Sequence, residues 1–473
     1  INRQCFGTRI GYPRSHTLLP EHKRIMERTV IARLRSRESL WEALTNSGWL
    51  LADQVLRMGI ALLVGIWLAR YLGPAQYGLL SFSLAFVSLF TAIATLGLSN
   101  VIVREFVNRP QDRDIIIGTA FLLRLMGGVA SVILVVAGIF LVRPDDQLSR
   151  LIVTILSFQL VAKSSEVIKN WFESKVRSKY TVFAELGAYL VVAATKIVLI
   201  LVEAPLLFFV WAYLLQFVLT AVLLFIMYFL TFGTPKWLPR IQEAQRLLKE
   251  SWPLIISGLV IMIYMRIDQV MIGQMLDDES VGIYSAAVRI SEIWYFIPTA
   301  IAASVFPNLL KTRRQSKTRY QDKLQLLLDT LVVLALMIAV PMTFLATAIV
   351  SLLFGPEYAG AGPVVSIHIW AAVFVFMGMA TSKWRLAEGL QYQSAYRNPT
   401  GAALNVGLNF LLIPKYGPIG AAIATLAAQS LPGFFFDALD PKCRGIMKMR
   451  IKALTLFSPG RRLITMLRTR ARE

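Results

Sequence analysis

The sequence predicts an all-α polytopic membrane protein with about twelve transmembrane helices in two six-helix bundles. Three observations predict it: an apolar composition, a succession of apolar runs of membrane-crossing length, and basic residues gathered on alternate connections. The 473-residue chain is 56% hydrophobic, against roughly 45–50% for soluble globular domains. Its mean hydropathy is +0.60.

A transmembrane helix needs about 20 mostly apolar residues. Such runs occupy 48–69, 79–99, 115–142, 149–169, 181–202 and 206–232, and after a polar connection 252–276, 282–306, 324–353, 363–382, 398–413 and 417–436. Orientation follows from the connections, because Lys and Arg near span ends are retained on the cytoplasmic side. With an inside start, 39 of the 49 basic residues fall on the starting side, and only Arg70, Arg143, Arg150 and Lys415 fall opposite. Both termini are therefore expected to be cytoplasmic. The expected organisation is a basic cytoplasmic leader (1–47), an N-terminal bundle (48–232), a cytoplasmic linker (233–251), a C-terminal bundle (252–436) and a basic cytoplasmic tail (437–473).

This partition explains most of the net charge of +21 without nucleic acid. The run KTRRQSKTR (311–319) reads as a topology signal touching anionic lipid headgroups. The amphipathic tail stretch MKMRIKALTLFSPGRRLITMLRTR (447–470) is expected to rest on the inner leaflet. Cys5 and Cys443 lie in polar tails at opposite ends, and His16, His22 and His368 make no ligand spacing. No disulfide, metal site or cofactor is expected.

The two halves repeat weakly. YGLLSFSLAF (77–86) and VGIYSAAVRI (281–290) align Gly78 with Gly282 and Ser81 with Ser285. Two like-oriented halves of this kind are common in secondary transporters, with the substrate site between them.

Eleven ionisable residues fall within the spans: Arg57, Arg124, Lys163, Lys196, Arg266 and Arg289, with Asp53, Glu166, Glu185, Asp268 and Glu292. A charge facing lipid costs about 2.5–3.5 kcal/mol even on the lenient insertion scale, so these should face protein or a wet cavity. Residues three or four apart share a helix face, which makes Asp53–Arg57, Lys163–Glu166 and Arg289–Glu292 candidate local pairs. Arg266 and Asp268 are two apart and point to nearly opposite faces. The expected cationic cavity is lined by Arg266 and Arg124, with Arg57, Lys196 and Arg289 contributing, and suits an anionic headgroup through bidentate guanidinium hydrogen bonds. The carboxylates, together with Asn405 and Asn409 one turn apart, are candidates for ion coupling or helix packing. Gly127 and Gly128 adjoin in the third span, and Pro298, Pro341 and Pro432 interrupt or end apolar runs.

WLARYLGPAQYGLLSFSLAF followed by LGLSNVIVREF, then RIDQVMIGQMLDDESVGIYSAAVRISEIW and SVFPNLL, and finally ALNVGLNFLLIPKYGPIGAAIATL, resemble the polysaccharide transporter family. Its members include Wzx-type flippases of lipid-linked oligosaccharides, in the superfamily (MOP) that also holds MATE exporters and the lipid II flippase. The resemblance covers about 41–430. It implies alternating access, an undecaprenyl-diphosphate-linked sugar repeat unit carried from the cytoplasmic to the outer leaflet, and a bacterial inner-membrane location. It also implies a cationic lumen, coupling to H+ or Na+, contact with membrane lipids, and service to surface polysaccharide assembly alongside other proteins of that pathway.

Two rivals stand beside it. A membrane polymerase or ligase needs catalytic groups on an exterior loop, and the short connections here offer no paired carboxylates, Ser/His arrangement or metal cluster. A MATE-type drug antiporter should favour an acidic or aromatic cavity for cationic cargo, which the six intramembrane cations oppose.

Overall fold

The computed structural model describes residues 19–234 and 236–455, with side chains from residue 53 onward except 391, 394 and 395. Among the described residues all regular elements are helices. The first half holds α1 (Leu19–Leu89), α2 (Thr91–Thr95), α3 (Ser99–Asn108), α4 (Arg113–Val142), α5 (Gln147–Ser157), α6 (Gln159–Ala162), α7 (Glu166–Ser174), α8 (Ser178–Leu201) and α9 (Leu206–Phe232). The second holds α10 (Ile241–Met275), α11 (Asp278–Glu292), α12 (Phe296–Gln315), α13 (Lys317–Phe354), α14 (Ala361–His368), α15 (Ala371–Glu388), α16 (Ser394–Tyr416), α17 (Pro418–Leu439) and α18 (Arg444–Leu454).

Ten helices among the described residues are long and apolar enough to cross a membrane. The 37-residue stretch Asp53–Leu89 carries most of the first expected span and about half of the second, divided at Gly73. There φ is +69°, which glycine adopts without a Cβ clash, and Pro74 then opens the next limb with its φ already helical. Helix α16 covers the eleventh expected span, but Arg397, Asn405, Asn409 and Lys415 lower its hydropathy, and it is not among the ten. Elsewhere side chains set the boundaries: Asp146 accepts from Ser149 N at 2.9 Å before α5, and Asp277 from Ser280 N at 2.7 Å before α11.

Three apolar cores organise the packing. At the end of the molecule bearing the basic connections, here the basic end, each half has its own. One joins Leu98, Phe106, Trp171 and Tyr228 of the first half, and the other Leu309, Leu328, Phe376 and Ile446 of the second. At the opposite, short-loop end a single core runs through both, from Leu68 and Phe82 to Val281, Tyr284, Val350 and Ile413. The halves are thus joined at the short-loop end and diverge toward the basic end, where α10 still leans on α2–α4.

The repeat-related glycines lie at that junction. A Cβ on Gly78 would overlap the Asp278 carbonyl oxygen, and one on Gly282 the Pro74 carbonyl oxygen. Only glycine permits α1 and α11 to approach so closely. Gly127 and Gly128 admit the backbones of α2 and α6 in the same way. Pro341 and Pro432 lie inside continuous helices, α13 and α17, and Pro298 in the first turn of α12.

Only the start of the amphipathic tail stretch lies within the described residues. Residues 444–454 form α18, which packs on α13 and α17 with Ile446, Arg450 and Ala453 buried, because Arg450 finds a carboxylate inside the bundle at Asp437. The rest of the tail stretch, 456–470, lies outside the described residues, as do leader residues 1–18 and all side chains of 19–52.

Candidate functional site

Between the halves lies a cavity of about 420 Å³, walled by α1, α6, α9, α10 and α11. Arg266, Lys163, Arg289 and Glu292 line it with Gln159 and Gln269. A second lobe of about 270 Å³ adjoins it, sharing Gln159, Tyr213, Phe217 and Arg289, and adds Lys196 and Tyr189. The lobes together carry four cationic side chains and one carboxylate.

Three of the four cations are placed by something their own helix does not supply. Arg289, on α11, passes over Gly65 of α1, where a Cβ would overlap its guanidinium, and donates to the Tyr77 hydroxyl at 2.8 Å. Lys196 Nζ sits 3.3 Å from the centroid of Tyr213, and Lys163 Nζ 5.4 Å from that of Phe217; aromatic faces attract cations away from bulk water. Lys163 also lies 3.4 Å from Glu166. The structure brings Arg266, Arg289 and Lys196 of the candidate cations to this cavity.

Two others are elsewhere, and the expectation that they line the cavity is corrected. Arg57 pairs with Asp53 and, at 3.1 Å, with Glu185; Glu185 in turn accepts from Lys169 at 2.6 Å. Carboxylates from α1 and α8 thus hold Arg57 in an ionic network inside the first half. Arg124 is fully buried, donating to Ser99 Oγ at 2.9 Å and lying 3.7 Å from Glu166. The candidate pair Arg289–Glu292 also fails to form, because the opening at Gly65 lets Arg289 turn to Tyr77.

Asp268 occupies the opposite face of α10 from Arg266 and is buried. Its Oδ2 accepts from Tyr284 Oη at 2.6 Å and Thr425 Oγ1 at 2.5 Å, and its Oδ1 from Asn409 Nδ2 at 2.5 Å. Asn409 also donates to Asn405 Oδ1 at 3.2 Å, while its own Oδ1 is buried without a partner. An enclosed space of about 30 Å³ lies beside this cluster, and Glu292 and Gln269 line both it and the large cavity.

The cavity is sealed at the short-loop end. Beyond the Gly78–Gly282 crossing, Arg143 donates to Asp278 at 2.8 Å and to the Gly273 carbonyl at 2.6 Å. Tyr358 donates to the Ala69 carbonyl at 2.8 Å. The sequence reading missed Gly65, Tyr77, Tyr213, Phe217 and the two glutamines. Gln159 and Gln269 were visible as polar residues in apolar runs; the aromatic residues and Gly65 carry no such signal.

Four cations to one carboxylate thus face a cavity between the two halves of the chain, closed at the short-loop end. The family model described as polysaccharide biosynthesis protein matches residues 43–313, more than half of the chain. The chain belongs to that family. It is 30% identical over 203 residues to probable flippase AglR of Haloferax volcanii, an alignment covering 40% of each chain, so it spans well under half of the length of that curated relative. Among solved structures, the lipid II flippase MurJ in an inward closed conformation superposes with a TM-score of 0.65 at 16% identity, over 86% of this chain and 91% of that one. An inward-facing multidrug MATE transporter gives 0.64 at 16%, over 85% and 95%. This family member thus has the MOP-superfamily fold of a multi-pass membrane protein.

Proposed function

We propose that the protein is a glycan flippase that moves lipid-linked oligosaccharide across the membrane by alternating access, in surface polysaccharide biosynthesis. The observation that carries the reading is the cavity between the halves, with four cations to one carboxylate. That balance suits a diphosphate on an undecaprenyl-type carrier, whose charge Arg266 and Arg289 can take bidentately, with Tyr213, Phe217 and the glutamines facing sugars. The polyprenyl tail remains in lipid. The drug-antiporter reading, which wants an acidic cavity, is disfavoured by the same balance. AglR and a second H. volcanii relative, 26% identical over 195 residues and called a probable low-salt glycan biosynthesis flippase, support the substrate class.

In this reading twelve spans form two six-helix halves, with α1 divided at Gly73 and α16 as the eleventh span. The basic connections and both termini face the cytoplasm of the cell in which the glycan is made. Substrate enters from the basic end while the short-loop end is closed by Arg143–Asp278 and the glycine crossing. Release follows when that end parts and the basic end closes. Asp268, with Asn405, Asn409 and Thr425, is the coupling site: buried oxygen donors and the unpartnered Asn409 Oδ1 fit H+ or Na+. Glu292, lining both spaces, links it to the cavity.

The deciding experiment depletes the protein and assays sidedness of lipid-linked oligosaccharide. Accumulation on the cytoplasmic leaflet, relieved by the wild type and not by Arg266→Ala/Arg289→Ala, is expected. Unchanged sidedness on depletion overturns the proposal.

A further inference from the structure

We propose that the basic end of the second half carries a separate anion site that holds the phosphate-bearing headgroup of an anionic membrane lipid. It is a cleft of about 540 Å³ where the α12–α13 connection, the end of α15 and α18 meet. The run 311–319 supplies Arg313, Arg314 and Lys317, and Lys442 approaches from the other side. Glu388 is the one carboxylate in the lining, and Arg313 occupies it through Nε and Nη2 at 2.9 and 3.0 Å. Arg314, Lys317 and Lys442 therefore remain as an excess of positive charge. Lys317 opens the 38-residue α13, so the positive end of that helix faces the same cleft.

The floor of the cleft distinguishes a lipid from a free anion. Leu324, Trp384, Ile446 and Met449 form it, and an apolar floor under a basic rim matches a glycerophospholipid better than hydrated phosphate. The wall is built rather than loosely resting. Arg450 of α18 donates to Asp437 at 2.6 Å, sharing that carboxylate with Arg397, and the Met449 carbonyl accepts from Gln325 at 3.0 Å. A polybasic surface attracts anionic lipid diffusely; a walled cleft adds a fixed place for one headgroup.

The test uses the full-length purified protein and needs no transport assay, so it stands or falls apart from the flippase reading. Native mass spectrometry after delipidation should show phosphatidylglycerol retained over phosphatidylcholine. Each basic residue near a membrane surface is worth about fivefold in affinity, so Arg314→Gln/Lys317→Gln/Lys442→Gln should weaken retention by about a hundredfold. Met449→Trp, which fills the cleft and keeps every charge, should also lose the lipid. In the unmodified protein, phosphatidylglycerol should slow amide exchange in 444–454. Retention unchanged in the triple variant, or lost there but kept by Met449→Trp, overturns the cleft. Equal protection of 444–454 by inorganic phosphate alone overturns the lipid in favour of a soluble anion.

Discussion

Arg289 of α11 crosses from one half of the molecule to the other, ending 2.8 Å from the Tyr77 hydroxyl of α1 in the space that the missing side chain of Gly65 leaves open. One glycine thus decides where a cation from the other half sits. The atoms that a Cβ would meet are the far end of a flexible side chain, so substitution should displace Arg289 rather than unfold the helix.

Gly65→Leu should therefore express and melt like the wild type while transport falls. A hydrogen bond to a charged group is worth about 1.5–3 kcal/mol, so the loss should be roughly ten- to a hundredfold. Tyr77→Phe, which removes one acceptor and leaves the path open, should cost less. Transport measured with matched surface expression checks both; full activity in Gly65→Leu removes Arg289 from the substrate path.

Asp268 gathers three donors from α11, α16 and α17 around one buried carboxylate. Asp268→Ala strands those neutral donors and should lower stability by at least about 1–3 kcal/mol, the usual cost of leaving a buried polar group unsatisfied. Asp268→Asn keeps the shape and should melt much closer to wild type, yet its transport should no longer respond to an imposed H+ or Na+ gradient. Glu292→Gln should weaken the response without the stability loss. A gradient response retained in Asp268→Asn assigns the cluster to packing alone.

Glu105 on α3 offers a pH test outside the spans. It accepts from Arg246 at 2.7 Å, Arg109 at 3.0 Å and Arg104 at 3.2 Å. Burial alone would raise its carboxyl, but these hydrogen bonds and charges outweigh it and hold it below the usual range. A depressed carboxyl stabilises fully above its unfolded value and is lost as pH falls through the folded one. The melting gap between wild type and Glu105→Gln should be constant near neutrality and shrink below about pH 4. A gap independent of pH refutes the charge-based tie between α3 and α10.

Ten membrane-length helices among the described residues were legible because hydropathy needs no knowledge of neighbours. What hydropathy could not see is direction. Arg57 and Arg124 look alike to Arg266 in sequence, each an arginine in an apolar run. Glu185, 128 positions from Arg57, and Glu166, 42 from Arg124, turn them inward. Arg289 and Glu292 have the spacing of a local pair, yet Gly65, more than 200 residues away, draws the guanidinium elsewhere. A one-turn spacing describes a helix alone, and in a bundle the partner of a buried charge comes mostly from another helix. The walls of the cavity were illegible for a related reason: Tyr213, Phe217 and Gly65 are ordinary residues for a membrane span, and only assembly aims them at one space.

The seal at the short-loop end yields the last test. Arg143 donates to both oxygens of Asp278, to the Gly273 carbonyl and to Ser149, and its guanidinium carbon lies 3.9 Å from the centroid of Phe82. It therefore pins α4 to α10 and α11, across the line along which the proposed alternating access would part the halves. Arg143→Ala should favour the state open at that end, so a cysteine at Ser285 should label faster from the short-loop face and more slowly from the basic face. Asp278→Ala should shift labelling the same way but less, because the Gly273 and Phe82 contacts survive. The swap Arg143→Asp/Asp278→Arg should recover only part of the closed population, since aspartate at 143 cannot donate to the Gly273 carbonyl or stack on Phe82. Labelling from the short-loop face unchanged in Arg143→Ala places the seal in the Gly78–Gly282 crossing and the Tyr358–Ala69 contact, and Gly282→Ala, forced against the Pro74 carbonyl, should then open it.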